Sequence, residues 1–267
     1  MVDLVNLLRS VAFGPFIALG FLCGAFVFWK KGKEEYYDEY VLFDVLLASS
    51  FWGLLGARAG FILAHIQDFG VDIVKWLSVF TYPGYVGLAG FVAGTYVLFS
   101  YAKKQHWDAF ELADFGAMGL SLASVLFATG MFVNGSGFGN PTTLPMGMQF
   151  PGVFDNRHPS QLYAAVLYLV LFIILWKLER VYRTFLWYRE NRRTAQTGFV
   201  FAMYCIGFGL IGVGLGMTRQ ASMTIFGIPV DPFMFGASII AGLFVLYVRS
   251  GRPMPFAKRK STLPQSV

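Results

Sequence analysis

The stretch LSLASVLFATGMFVNGSGFGNPT, residues 120–142, runs an apolar segment straight into a loop that holds four glycines, two asparagines and a serine but no acid and no base. Its first half is apolar enough for hydrocarbon. Its second half exposes too much backbone polarity to lie there, because lipid offers an unpaired N–H or C=O no partner. The junction therefore reads as the edge of a bilayer. The same alternation recurs along the chain. Runs near the roughly 20 residues that cross a membrane are found at 11–29, 41–65, 84–101, 114–134, 161–176, 198–217 and 232–248. None shows the period of two expected of a barrel strand, so the spacing predicts helices.

Composition agrees. The 267 residues are 56% hydrophobic and 13% charged, where soluble domains average about 25% charged. The expected fold class is an all-α integral membrane protein of seven transmembrane helices. Orientation follows from Lys and Arg: sixteen lie after spans one, three, five and seven, four lie on the other side, and Arg58 is left within a span. Positive residues mark the cytoplasmic side, which predicts an outside N-terminus and a cytoplasmic C-terminus. The formal charge of +6 is concentrated at span ends, where it meets anionic headgroups rather than nucleic acid. Residues 1–250 read as one transmembrane domain and 251–267 as a basic, disordered cytoplasmic tail. Span one lacks a cleavage site and is expected to persist as a helix. The stretch LERVYRTFLWYRENRR, 178–193, reads as span five continuing amphipathically along the interface. Cys23 and Cys205 have no metal-ligand spacing and are read as packing residues. No metal and no cofactor is expected.

Three features do not belong in lipid. Arg58 lies deep in span two, where an arginine costs about 2.5–3.5 kcal/mol on insertion scales; it needs an anion, a wet cavity or an acid such as Asp114. Asp44, fourteen residues away, is roughly 21 Å distant along the helix and out of reach. Glycines crowd spans two, three and six, which suits either close helix packing or a cavity for an acyl chain. In NRHPSQLY, 156–163, Pro159 and Ser160 suit a helix start. There His158, Gln161 and Tyr163 gather at one membrane edge, an arrangement fit for a headgroup.

Taken in order, FGPFIALGFLCG (13–24), GARAGF (56–61), YVGLAG (85–90), GMFVNGSGFGNPT (130–142), RHPSQLY (157–163) and GFVFAMYCIGFGLIGVGLGMTR (198–219) resemble the prolipoprotein diacylglyceryl transferase family. The resemblance covers about residues 11–250. It implies transfer of the diacylglyceryl group of phosphatidylglycerol to the lipobox cysteine thiol of a preprolipoprotein, with release of glycerol 1-phosphate, in the bacterial inner membrane. Implied partners are phosphatidylglycerol and the signal peptide, with the chain a monomer. The resemblance also implies site residues: His158 and Tyr85 as catalytic groups, and Arg58, Asn134, Ser136, Gln161, Tyr163 and Arg219 as substrate-binding groups.

Set against the family pattern, several charged positions hold something else. Ala128, Met131 and Ser136 stand where an arginine, an asparagine and a glutamate are expected. Ala164 replaces the acid that follows the HPSQLY box. Gly212 and Gly216 replace an arginine and an acid ahead of Arg219, Tyr85 replaces a histidine, and Phe13 a tyrosine. Impaired or altered chemistry is the expectation, and a non-catalytic phospholipid- or lipoprotein-binding protein on the same scaffold is the alternative. A transporter would call for repeated halves. A Ser136–His158 hydrolase would call for a GxSxG elbow and an orienting acid. The sequence has neither.

Overall fold

A computed structural model describes residues 2–79, 81–189, 192–219, 224–225 and 228–251. Of the tail expected at 251–267, all but Gly251 lies outside the described residues. The chain is α-helical: α1 (Val2–Glu34), α2 (Glu39–Ala64), the short α3 (Ile66–Phe69) and α4 (Ile73–Leu77), α5 (Gly87–Lys104), α6 (Ala109–Asn134), α7 (Ser160–Val181), α8 (Leu186–Arg189), α9 (Phe199–Gly216) and α10 (Asp231–Ser250). Two-residue antiparallel pairs decorate the links, β1 (Met148–Gln149) with β2 (Asn156–Arg157) and β3 (Thr224–Ile225) with β4 (Ile228–Pro229).

Among the described residues, six helices are long and apolar enough to span a membrane: Phe13–Glu34, Glu39–Ala64, Ala109–Asn134, Ser160–Thr184, Phe199–Gly216 and Asp231–Ser250. The protein is an all-α, multi-pass membrane protein. Its continuation after span five departs from a single amphipathic helix. The α-helix stops at Val181, gives way to a 3-10 turn at Tyr182–Thr184, and resumes as one turn in α8. The Tyr182 and Tyr188 rings beside this break are buried against Phe199. Packing of those rings, not amphipathic lie on an interface, shapes the segment.

Helices pair α1 on α6, α2 on α5 and α9 on α10, with α6 and α7 between them. Without a hydrophobic force between helices in lipid, close van der Waals approach has to hold these pairs. Glycine makes that approach possible. A Cβ added to Gly24 would meet the Gly119 carbonyl oxygen at 2.9 Å, and one added to Gly119 would meet that of Gly24 at 2.6 Å. Gly90 and Gly53 serve α2 and α5 in the same way, and Gly242 and Ala202 serve α9 and α10. Packing is thus the answer for most of the glycines, although Gly87, Gly214 and Gly216 face open space.

One end of the bundle is tied by polar side chains. Asp114, buried near the start of α6, accepts from the backbone N–H of Gly198 at 2.8 Å and of Phe201 at 2.7 Å. It therefore caps the start of α9 from another helix and is not a partner for Arg58. Beside it Glu111 accepts from the Tyr37 hydroxyl at 2.6 Å and pairs with Arg183 at 3.0 Å. Tyr37 lies in the α1–α2 link, where burial and then the bond to Glu111 raise its pKa above the ordinary phenol value. Lys31 pairs with Glu34 and with Glu179 of α7.

Two outcomes follow from this packing. Asp114→Ala leaves the buried N–H of Gly198 and the part-buried N–H of Phe201 without acceptors and is expected to destabilise by about 3 kcal/mol, read as a lower thermal midpoint in detergent, with Asp114→Asn milder. Gly119→Leu is expected to separate α1 from α6 and cost roughly 1–3 kcal/mol or more. An unchanged midpoint for either variant contradicts its account.

Candidate functional site

At the other end of the bundle, the end of α6, the start of α7 and the end of α9 converge on the 135–159 link. That link is built largely by its own backbone. Residues 139–142 lie beside 156–158 through Gly139 N–H to His158 O at 2.8 Å, His158 N–H to Asn140 O at 3.1 Å and Thr142 N–H to Asn156 O at 2.8 Å. Asn140 N–H also bonds Thr218 O at 2.7 Å, which lashes the loop to the end of α9. Glycine is required at 139, where an added Cβ would fall against the Thr218 carbonyl and 2.8 Å from His158 Cβ.

Onto this frame the side chains are hung. Gln161, fully buried, donates from Nε2 to Ser136 O at 2.7 Å. Asn134 Nδ2 reaches Ser136 Oγ at 3.3 Å, and His158 Nδ1 lies 3.4 Å from the Tyr163 hydroxyl; both are long for hydrogen bonds. Ser160 does not cap α7 as its position suggests. Its hydroxyl, buried, donates to Gly137 O at 2.9 Å, so it clasps the glycine loop instead. Arg219 donates from Nη2 to Ser160 O at 3.2 Å. Burial lowers the Arg219 pKa from its ordinary value, while Tyr168 and Asp231 act to raise it.

Six of the eight sequence candidates, Asn134, Ser136, His158, Gln161, Tyr163 and Arg219, are thus joined in one network. The Gln161 Oε1 acceptor and the Arg219 Nε donor in it are buried with no hydrogen-bond partner. Native structures rarely leave such groups unmet. Beside the network Ala128, Ala164 and Leu215 form a small buried apolar cluster, with Tyr163 and Tyr168 packed against it. Chemically the arrangement offers a guanidinium for an anion and an imidazole–phenol pair that can relay a proton.

Arg58 and Tyr85 form a second group on the α2–α5 link. All five N–H donors of Arg58 are engaged by backbone carbonyls: Nε with Trp76 at 3.1 Å, Nη1 with Tyr82 at 2.7 Å and Gly84 at 3.2 Å, and Nη2 with Lys75 at 3.4 Å and Ser78 at 3.5 Å. Its partner is therefore neither an acid nor open water but the loop beyond its own helix. Tyr85 follows Gly84, and Val86 N–H bonds Ala57 O at 2.9 Å, so the residues on both sides of Tyr85 are tied to α2. Its own ring is half exposed.

Sequence reasoning did not identify Ser160 as a loop clasp, nor Asn140, Thr218, Tyr168 and Asp231 as neighbours of the site. Asn140 and Thr218 act through backbone atoms and leave no side-chain signal. Tyr168 and Asp231 meet Arg219 only after folding.

The family model for prolipoprotein diacylglyceryl transferase matches residues 4–248. A phosphatidylglycerol–prolipoprotein diacylglyceryl transferase of Clostridium tetani is 27% identical over 250 residues, 90% of this chain and 94% of the relative. One from Bordetella bronchiseptica is 30% identical over 222 residues, 79% and 78% of the two chains. One from Cupriavidus metallidurans is 33% identical over 174 residues, 62% and 58%.

Because one guanidinium gathers five carbonyls, Arg58→Lys, with at most three donors, is expected to loosen residues 75–84. Hydrogen–deuterium exchange there should speed at least about tenfold, and more in Arg58→Ala. Exchange unchanged in both variants would remove Arg58 from that role.

Proposed function

The chain belongs to the prolipoprotein diacylglyceryl transferase family, and from that premise we propose that its network of Asn134, Ser136, His158, Gln161, Tyr163 and Arg219 takes a phosphatidylglycerol headgroup beside a lipoprotein signal peptide, with the transfer step itself slowed. In the family reaction the cysteine sulfur attacks the glyceryl carbon that carries the phosphate ester. That carbon–oxygen bond breaks, glycerol 1-phosphate leaves, and the thiol proton passes to a base. Here Arg219 is the group to hold the departing phosphate, with His158, backed by Tyr163, as the base. Tyr85, held rigidly by the Arg58-clasped loop, is the second candidate. Arg58 acts on this reading by positioning the loop, since its donors are already engaged.

One observation carries the expectation of slow chemistry. Ala128 and Ala164, which stand at positions where the family pattern places an arginine and an acid, are buried together with Leu215 in an apolar cluster. Two charges at those places would be expected to support each other; their joint replacement by small apolar side chains leaves a packed site that can bind but stabilises less developing charge. The retained Arg219, whose guanidinium is held at the start of α7 by its bond to Ser160 O, supports continued binding. We further propose that Gly87–Lys104 is a seventh span, since it packs on α2 with Gly90 and Gly94 against Gly53 and Ser49. The charge count then sets the N-terminus outside and the site in the outer leaflet, within one domain of residues 1–250. The protein is proposed to act as a monomer in the bacterial inner membrane, with no nucleic acid partner.

The test is an assay of purified protein with phosphatidylglycerol and a lipobox peptide, run in parallel with the Clostridium tetani relative. Lipid binding is expected, with thioether and glycerol phosphate formed at least about a hundredfold more slowly. Arg219→Gln should weaken the binding. Product at the relative's rate overturns the impairment; absence of phosphatidylglycerol binding overturns the assignment of the pocket.

A further inference from the structure

The link between α6 and α7 does more than frame the candidate site. From Gly135 to Phe154 twenty residues pass without an ionisable side chain, and with Phe115–Asn134 before them the uncharged run is forty residues long. At the usual share of about 25%, a twenty-residue stretch facing water would hold about five charges. The stretch 177–197, at the other end of the bundle, holds six Lys and Arg and two acids.

Apolar side chains stand where charges would be expected. Leu144, Met146, Met148 and Phe154 are exposed, Phe154 to 96%. Two tight turns present them: Gly147 N–H bonds Leu144 O at 2.9 Å, and Val153 N–H bonds Phe150 O at 3.2 Å. Between the turns Met148 and Gln149 pair with Arg157 and Asn156. Grouped exposed apolar side chains of this size mark a surface that meets something other than water.

The hairpin also lies low on the bundle. Phe150, buried, stacks on Phe138 at 5.2 Å and meets the edge of Phe132 at 6.2 Å between ring centroids. A Cβ added to Gly135 would stand 3.0 Å from Pro151 Cδ. Phe132 belongs to the last turn of the membrane-spanning α6, two residues and about 3 Å of rise from its end. The tip is folded back to the level at which that helix ends.

We infer that the 142–154 hairpin is a membrane-surface element, with Leu144, Met146, Met148 and Phe154 immersed at the boundary of headgroups and acyl chains in the leaflet at this end of the bundle. A peptide docks along a free strand edge or in a groove. Here the strands are two residues long, and Phe154, almost free of protein contact, walls no groove. Fluid lipid conforms to side chains that project in this way, and it is continuous with the lipid around α6 and α7. Seated so, the hairpin keeps the backbone frame at 139–142 and 156–158, and with it the mouth of the candidate pocket, at the bilayer edge. This seating is independent of whether the chain transfers a diacylglyceryl group.

The full-length protein, one copy per nanodisc so that no second copy can cover the surface, tests this by nitroxide accessibility. On a Cys23→Ala, Cys205→Ala background, labels at Leu144→Cys and Phe154→Cys are compared with one at Gln105→Cys, an exposed position in the charged α5–α6 link. Oxygen concentrates in lipid and a nickel chelate stays in water. The oxygen-to-chelate ratio at 144 and 154 is expected to be at least about fivefold that at 105. Equal ratios overturn the inference. If the background does not fold, the wild-type chain decides. Met146 and Met148, exposed on the protein itself, should be oxidised by aqueous hydroxyl radicals at least about tenfold more slowly in nanodiscs than in a free peptide of residues 142–149, and oxidation at the peptide's rate overturns the inference. Protection gained only when a lipobox peptide is added gives the surface to that peptide, which also overturns it while leaving the proposed function standing.

Discussion

Every backbone group inside the hydrocarbon region needs a partner supplied by the protein, and two charged side chains in this bundle meet that need directly. Arg58 donates to five carbonyls of the α2–α5 link, and Asp114 accepts two N–H groups at the start of α9. One is a cation at a turn rich in unpaired acceptors; the other is an acid at a helix start rich in unpaired donors. Each repays its insertion by satisfying groups that would otherwise stand bare. They sit on different helices and serve different parts of the chain.

The same economy of polar groups builds the candidate pocket. Glycines 137 and 139 let the loop approach Ser160, His158 and Thr218, and the side chains of Ser160, Gln161 and Arg219 are then fixed on carbonyls. A frame made of backbone bonds tolerates side-chain replacement. Beside it Ala128 and Ala164 pack with Leu215 in a small buried apolar cluster. Stability of the scaffold and strength of its chemistry are carried by different atoms.

Much of the fold was legible before any coordinates. Long apolar runs with few interior charges have few alternatives to membrane helices, so six of the expected spans recur, with ends shifted by no more than eight residues. The break after Val181 was not legible. Nothing in 178–193 forbids a continuing helix, and the turn exists because Tyr182 and Tyr188 find the Phe199 ring. Among the candidate site residues, His158, Gln161 and Tyr163 were read from their place at one helix mouth, while Asn134, Ser136 and Arg219 came only from the family resemblance; Ser160 was noticed but given the wrong partner, since a cap and a loop clasp use the same hydroxyl.

Composition and the spacing of apolar runs were sufficient for helix number to within one and for class, because hydrocarbon imposes its rules locally, one segment at a time. Which charge answers which group was decided only by folding. Arg58 was expected to seek an anion and Asp114 stood as its possible mate; in three dimensions each turned to backbone. The reason is that partners from different helices have no fixed separation along the chain, and their distances exist only once the glycine seams have closed.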